Sequence, residues 1–152
     1  MSKSDTVPGI EPWTDLPVVP DTFAGRRKEH AALVEAIEAG QVAVVRAARG
    51  RKGVGLTTVA AAAARDAKEM EGGWLYADLR DVDGRSGPVM RRWMQACGES
   101  PPITGGALAL VDGCAAALAA RVDHRGRTGL MIDGVSRVWL GTLEQLLALR
   151  PA

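Results

Sequence analysis

The sequence predicts an α/β protein, a three-layer α/β/α arrangement in which a short parallel sheet of about three strands is flanked by helices. Three observations carry this expectation. Short apolar runs alternate with alanine-rich helical stretches, and that alternation calls for parallel strand pairing through right-handed crossovers. A glycine-rich loop separates the first such run from the helix after it. The apolar share, 47% of 152 residues, is enough for a packed core without disulfides or metal sites.

The elements follow in chain order. Residues 1–22 are polar and carry Pro8, Pro12, Pro17 and Pro20, so they are expected to form an extended arm or linker, with the domain over 23–152. Trp13 in that arm would dock back onto the domain or meet a partner. Over 27–39, Ala31, Leu33, Val34, Ala36 and Ile37 form a helical stripe that Gly40 ends. Residues 42–45 read as a short buried strand, 49–55 as a loop rich in glycine and cations, and 57–68 as a helix dominated by alanine. A second strand fits 74–77 and ends at Asp78. Pro88 opens a helix towards Ala96, and another helix covers 106–121. A basic connection over 121–127 leads to a third strand at 130–132, which ends at Asp133, and a last helix covers 140–149.

The chemistry lies in the stretch 41–60, QVAVVRAARGRKGVGLTTVA. A strand, a loop GRKGVG and a helix opening at Thr57 is the layout of a phosphate-binding loop, whose backbone N–H groups and helix N-terminus surround phosphates. Gly50, Gly53 and Gly55 permit the turns it requires. Thr57 stands where a hydroxyl ligates Mg²⁺, and Asp133 where a strand-end carboxylate holds that ion through water. The position before Thr57, where the phosphate-binding lysine belongs, is Leu56. One charge-assisted hydrogen bond is worth about 1.5–3 kcal/mol, so nucleotide affinity is expected to fall roughly 10- to 150-fold or more. Arg49, Arg51 and Lys52 either reach a phosphate from the other side or point into water.

With these elements placed, the chain resembles the N-terminal part of the nucleotide-binding domain of signal-transduction P-loop ATPases of the NB-ARC or STAND class. Four stretches carry the resemblance: FAGRRKE (23–29) to an F-x-G-R-x-x-E opening, GRKGVGLTT (50–58) to a Walker A loop, WLYADLR (74–80) to a second strand, and LMIDGV (130–135) to a Walker B strand. Membership implies a P-loop NTPase-like fold and a nucleotide, ATP or ADP with Mg²⁺. It implies that Gly53, Val54, Gly55, Thr57 and Thr58 cradle phosphates within a site that also includes Gly50, Arg51, Lys52 and Leu56. Arg26 would lie near the nucleotide, and Thr57 and Asp133 would serve the ion. Phe23 and Glu29 also suit a hydrophobic staple and a first-turn acid, which need no ligand.

The sequence departs from that family at Leu56 and again at Gly134, where relatives often carry a second acid or an asparagine that positions the attacking water. Phosphoryl transfer depends on positioning and charge stabilisation, so hydrolysis is expected to be weak or absent, and no catalytic residue is assigned. The sequence also stops at Ala152, before the sensor strand and helical lid of the family. The strands then close up directly, a partner chain supplies the missing one, or the chain is a fragment.

Two functions follow, a degenerate nucleotide-binding switch module and, as the alternative, a pseudo-ATPase interaction or oligomerisation module with an empty phosphate loop and no cofactor. An active ATPase using Arg51 or Lys52 in place of the lysine is a third. A protein partner or a homo-oligomer is expected, because unpaired strand edges invite association. Net charge is +1, so no global field draws the chain to nucleic acid or an anionic membrane. Arg121, Arg125 and Arg127 could touch nucleic acid, but without interleaved aromatics or a helix-turn-helix they read as a solvated loop, and no run approaches the roughly 20 apolar residues of a membrane span. Cys97 and Cys114 lack a metal-ligand cluster, which suits a reducing, cytoplasmic setting. His30 is expected to face solvent, and Asp78 to position a water or cap a turn.

Overall fold

The computed structural model describes Leu16, Pro17, Val19 and residues 26–45 and 55–151. These residues form an α/β protein with five α-helices and one parallel pair of strands. They fall into two compact units, Leu16–Met70 and Glu71–Ala152.

The first unit is a helix pair, α1 (Arg27–Glu38) and α2 (Leu56–Asp66). In α2 the buried residues are Val59 and Ala61 to Ala64, and methyl-sized side chains let a helix approach its neighbours closely. The two helices are tied by polar contacts. His30 Nε2 lies 2.7 Å from Asp66 Oδ2, and the Lys68 backbone N–H donates to Glu38 Oε2 at 2.7 Å. His30, half-buried and expected to face solvent, makes this contact at an exposed position. The stretch expected to be an arm is fastened at its described positions: Leu16 is buried, and Arg65 donates to the carbonyls of Leu16 at 3.4 Å and Pro17 at 2.9 Å.

The strand expected over 42–45 is not formed. Residues 41–45 make no ladder among the described residues, and Val42 and Val44 are 49% and 73% exposed. β-Branched residues supply propensity, but a strand exists only where a neighbour pairs its backbone groups. The sheet therefore has two strands among the described residues instead of three.

The second unit contains that sheet, β1 (Gly73–Asp78) and β2 (Thr128–Asp133), with α3 (Ser86–Ala96) and α4 (Gly106–Arg125) in the crossover and α5 (Leu140–Leu147) after a 3₁₀ turn at Arg137–Trp139. The strands are parallel and in register from Gly73 opposite Thr128 to Asp78 opposite Asp133. Leu75 and Ala77 of β1 bury into one cluster with Trp93 and Met94 of α3, Leu110, Cys114 and Leu118 of α4, and Leu146 of α5. The ring of Trp74 lies over Gly129, where a Cβ would collide with it, so this strand pair needs a glycine at that point.

Helix α2 spans Leu56–Asp66 instead of 57–68 and α5 ends at Leu147 instead of 149, and two further boundary shifts have a clear physical cause. Helix α3 begins at Ser86, two residues before Pro88, because a first-turn proline gives up an N–H that has no intrahelical partner. Helix α4 runs one turn past Arg121 to Arg125. Leu110, Cys114, Ala117, Leu118 and Arg121 follow the three- and four-residue spacing of one face, which carries Arg121 into the interior. Its guanidinium donates to Gly72 O at 2.8 Å and Ala96 O at 3.0 Å. Arg121 is thus a structural clamp, not part of a solvated basic loop.

Candidate functional site

The sequence-derived site divides between the two units. In the first, Gly55 is left-handed at φ 70° immediately before α2, which a residue without a Cβ adopts at no steric cost. Its carbonyl accepts the Val59 N–H at 2.9 Å. Leu56, Thr57 and Thr58 then form the first turn, all half-buried. The first N–H groups of a helix have no partner within it and carry the positive end of its dipole, the elementary requirement of an anion site. Arg26 stands at the start of α1, left-handed at φ 53°, and its carbonyl accepts the His30 N–H. Gly50, Arg51, Lys52, Gly53 and Val54 lie outside the described residues.

In the second unit the register places Asp78 and Asp133 side by side at the carboxyl ends of β1 and β2, where open parallel sheets bind ligands. Around them is a polar cluster. Arg80 holds Asp78 with two parallel bonds, Nε to Oδ1 at 2.9 Å and Nη2 to Oδ2 at 2.7 Å, and its backbone N–H adds a third to Oδ1 at 3.0 Å. The same Nη2 lies 3.8 Å from Asp133 Oδ2. The Tyr76 hydroxyl donates to Asp133 Oδ2 at 2.9 Å, and the Gly134 N–H donates to Oδ1 at 2.7 Å. The Arg80 side chain is 62% exposed, against 13% for Asp78 and 21% for Asp133, so the guanidinium covers the carboxylates from the solvent side.

The charge states follow from these contacts. Hydrogen bonding from Arg80 holds the Asp78 carboxyl below the usual carboxylate range. Burial, reinforced by the Asp133 carboxylate, pushes the Tyr76 phenol well above its ordinary value, so it remains a proton donor. Asp78 raises Arg80 further, and the guanidinium stays charged. Among the described residues no group of three or more His, Cys, Asp or Glu side chains is arranged to hold a metal ion. The strand-end oxygens themselves already accept from Arg80, Tyr76 and Gly134, and this donor set does not fit a divalent cation.

Thr57 and Asp133, expected to serve one ion, belong to different units. Asp78 caps the turn that follows β1, its Oδ1 accepting the Arg80 backbone N–H at 3.0 Å and its carbonyl the Asp81 N–H at 3.1 Å, and it also anchors the Arg80 side chain. Tyr76 and Arg80 are not among the candidate residues that the sequence points to. The signal for Tyr76 was its place two residues before Asp78, on the same face of a period-two strand. Arg80, beyond the strand, gave none. Burial raises the Cys97 thiol and pushes Cys114 up to about 11, which holds both in the protonated form at neutral pH. No helix among the described residues is long and apolar enough to cross a membrane. Compared with family models, curated proteins and solved structures, the chain matches none.

Proposed function

We propose that the chain is a degenerate nucleotide-binding switch module of the signal-transduction ATPase type, which takes the phosphates of ATP or ADP and hydrolyses them weakly or not at all. The observation that carries this reading is the start of α2: a left-handed Gly55 closing a glycine-rich segment directly before Leu56, Thr57 and Thr58. The parallel pairing of β1 and β2, with an aspartate ending each, supports the same P-loop-like three-layer fold. The cradle would be formed by backbone N–H groups over 50–58 and the hydroxyls of Thr57 and Thr58. Thr57 is the residue for a nucleotide-borne Mg²⁺; Asp133 is not assigned to it, since its oxygens are engaged. Hydrolysis has no support from position 56, a leucine, or position 134, a glycine.

Titration calorimetry of the chain with ATP and with ADP, up to millimolar ligand, tests the proposal. Saturable binding that Thr57→Ala weakens is expected. Leu56→Lys should tighten it by roughly 10- to 150-fold, the worth of one charge-assisted hydrogen bond. The absence of binding in both the wild type and Leu56→Lys would overturn the switch in favour of a protein-interaction module with an empty loop. That second reading draws on Val42 and Val44, two exposed apolar residues in a stretch without a ladder.

A further inference from the structure

The phosphate-loop reading expects a divalent cation beside Asp133, and at the strand ends a guanidinium already faces both carboxylates. Oδ1 of Asp133 accepts the Gly134 N–H at 2.7 Å, and Oδ2 accepts the Tyr76 hydroxyl at 2.9 Å. Both oxygens of Asp78 are taken by the Arg80 guanidinium at 2.9 and 2.7 Å. Mg²⁺ needs oxygens at about 2.0–2.1 Å in octahedral array, or room for its hydrated form. The guanidinium, 3.8 Å from Asp133 Oδ2, already stands on the solvent side where a hydrated ion would approach, and its charge opposes a second cation.

Gly134 supplies an independent observation. It is left-handed at φ 69°, and a Cβ built on it would collide with Asp78 Oδ1 and crowd Arg80 Nε. The space a side chain at 134 would need is filled by the Asp78–Arg80 ion pair, so the glycine and the pair are one structural feature.

We propose that Arg80 is the resident cation of this strand-end site: its guanidinium, gripped by Asp78 and lying against Asp133, takes the place of a divalent metal ion, and Gly134 is the gap that admits it. The inference rests on the phosphate-loop reading only for the expectation of a metal. Its consequence is that a nucleotide bound by this chain recruits no metal ion to Asp133.

The test is a Mn²⁺ titration of the whole chain without nucleotide, followed by paramagnetic broadening of backbone amide resonances. In the wild type, Gly134 and Leu79 should broaden no earlier than amides beside ordinary surface acids such as Glu99 and Asp112. In Arg80→Gln the two carboxylates lose their counter-charge, and Gly134 and Leu79 should broaden selectively at Mn²⁺ levels about tenfold lower, the factor for removing one like charge a few ångströms away in a water-like dielectric. Arg80→Lys, which keeps the charge, should behave as the wild type does. Selective broadening of Gly134 in the wild type overturns the inference however the variants fold. So does a folded Arg80→Gln that gains nothing. A chain that binds ADP yet draws Mn²⁺ to Gly134 keeps the switch and loses this inference; a chain that binds no nucleotide while Arg80→Gln gains Mn²⁺ does the reverse.

Discussion

Gly134 and Asp78 show how much single positions govern here. A side chain at 134 meets both a left-handed backbone and the Asp78–Arg80 pair, so Gly134→Ala should cost about 1–3 kcal/mol, read by urea denaturation. An unchanged midpoint would mean that the pair moves aside at no cost. The Asp78 carboxyl titrates below its ordinary value in the folded chain, so its contribution to stability is complete above the unfolded value, about 3.9, and is lost as pH falls through the lower folded value. The stability difference between wild type and Asp78→Asn should therefore be constant from about pH 5 upward and shrink below pH 4. Denaturation curves at pH 6 and pH 3 check this, and a gap that widens in acid would contradict it. The aspartates were legible in the sequence because each ends an apolar run. Their partner was not, since Arg80 lies beyond β1 and meets Asp133 only through the fold.

The elements divide by whether their stability is local. Helices α1 and α5 follow from apolar spacing and stop signals, and their ends fall close to expectation. Helix α4 continues past Arg121, where the sequence places the start of a basic connection. The long stem of Arg121 instead crosses the core face, and its donors satisfy Gly72 O and Ala96 O. Arg121→Met keeps the apolar stem and removes the donors, leaving buried acceptors unpaired. The expected loss is about 1–3 kcal/mol in thermal or chemical unfolding, and a neutral outcome would show that water reaches those carbonyls. The stretch 41–45 is the opposite case. It has the composition of a strand, yet no neighbour completes it among the described residues.

At the scale of the whole molecule, the exposed valines 42 and 44 and, among the described residues, a sheet of two strands present apolar surface and backbone groups of the kind that drive association. Sedimentation velocity of concentrated protein should show self-association that Val42→Lys combined with Val44→Lys reduces. A wild type that stays monomeric would argue against the interaction-module reading while leaving nucleotide binding open. The two units each have an internal organisation, a helix pair with polar ties and a strand pair with a three-helix core.

The sequence by itself determined the α/β class, the helices, the parallel strands ending in aspartates and the glycine before α2. These depend on periodicity, propensity and chain stops, which act over a few residues. Only the tertiary structure decided that residues 42–45 form no strand, that Arg121 is buried and that Arg80 neutralises the strand-end carboxylates. The first two depend on a partner far away in the chain or on the absence of one. In the third, the pair of neighbours Asp78 and Arg80 meets Asp133 only because the parallel pairing of β1 and β2 sets the strand ends side by side, and such energies exist only once the fold has brought their members together.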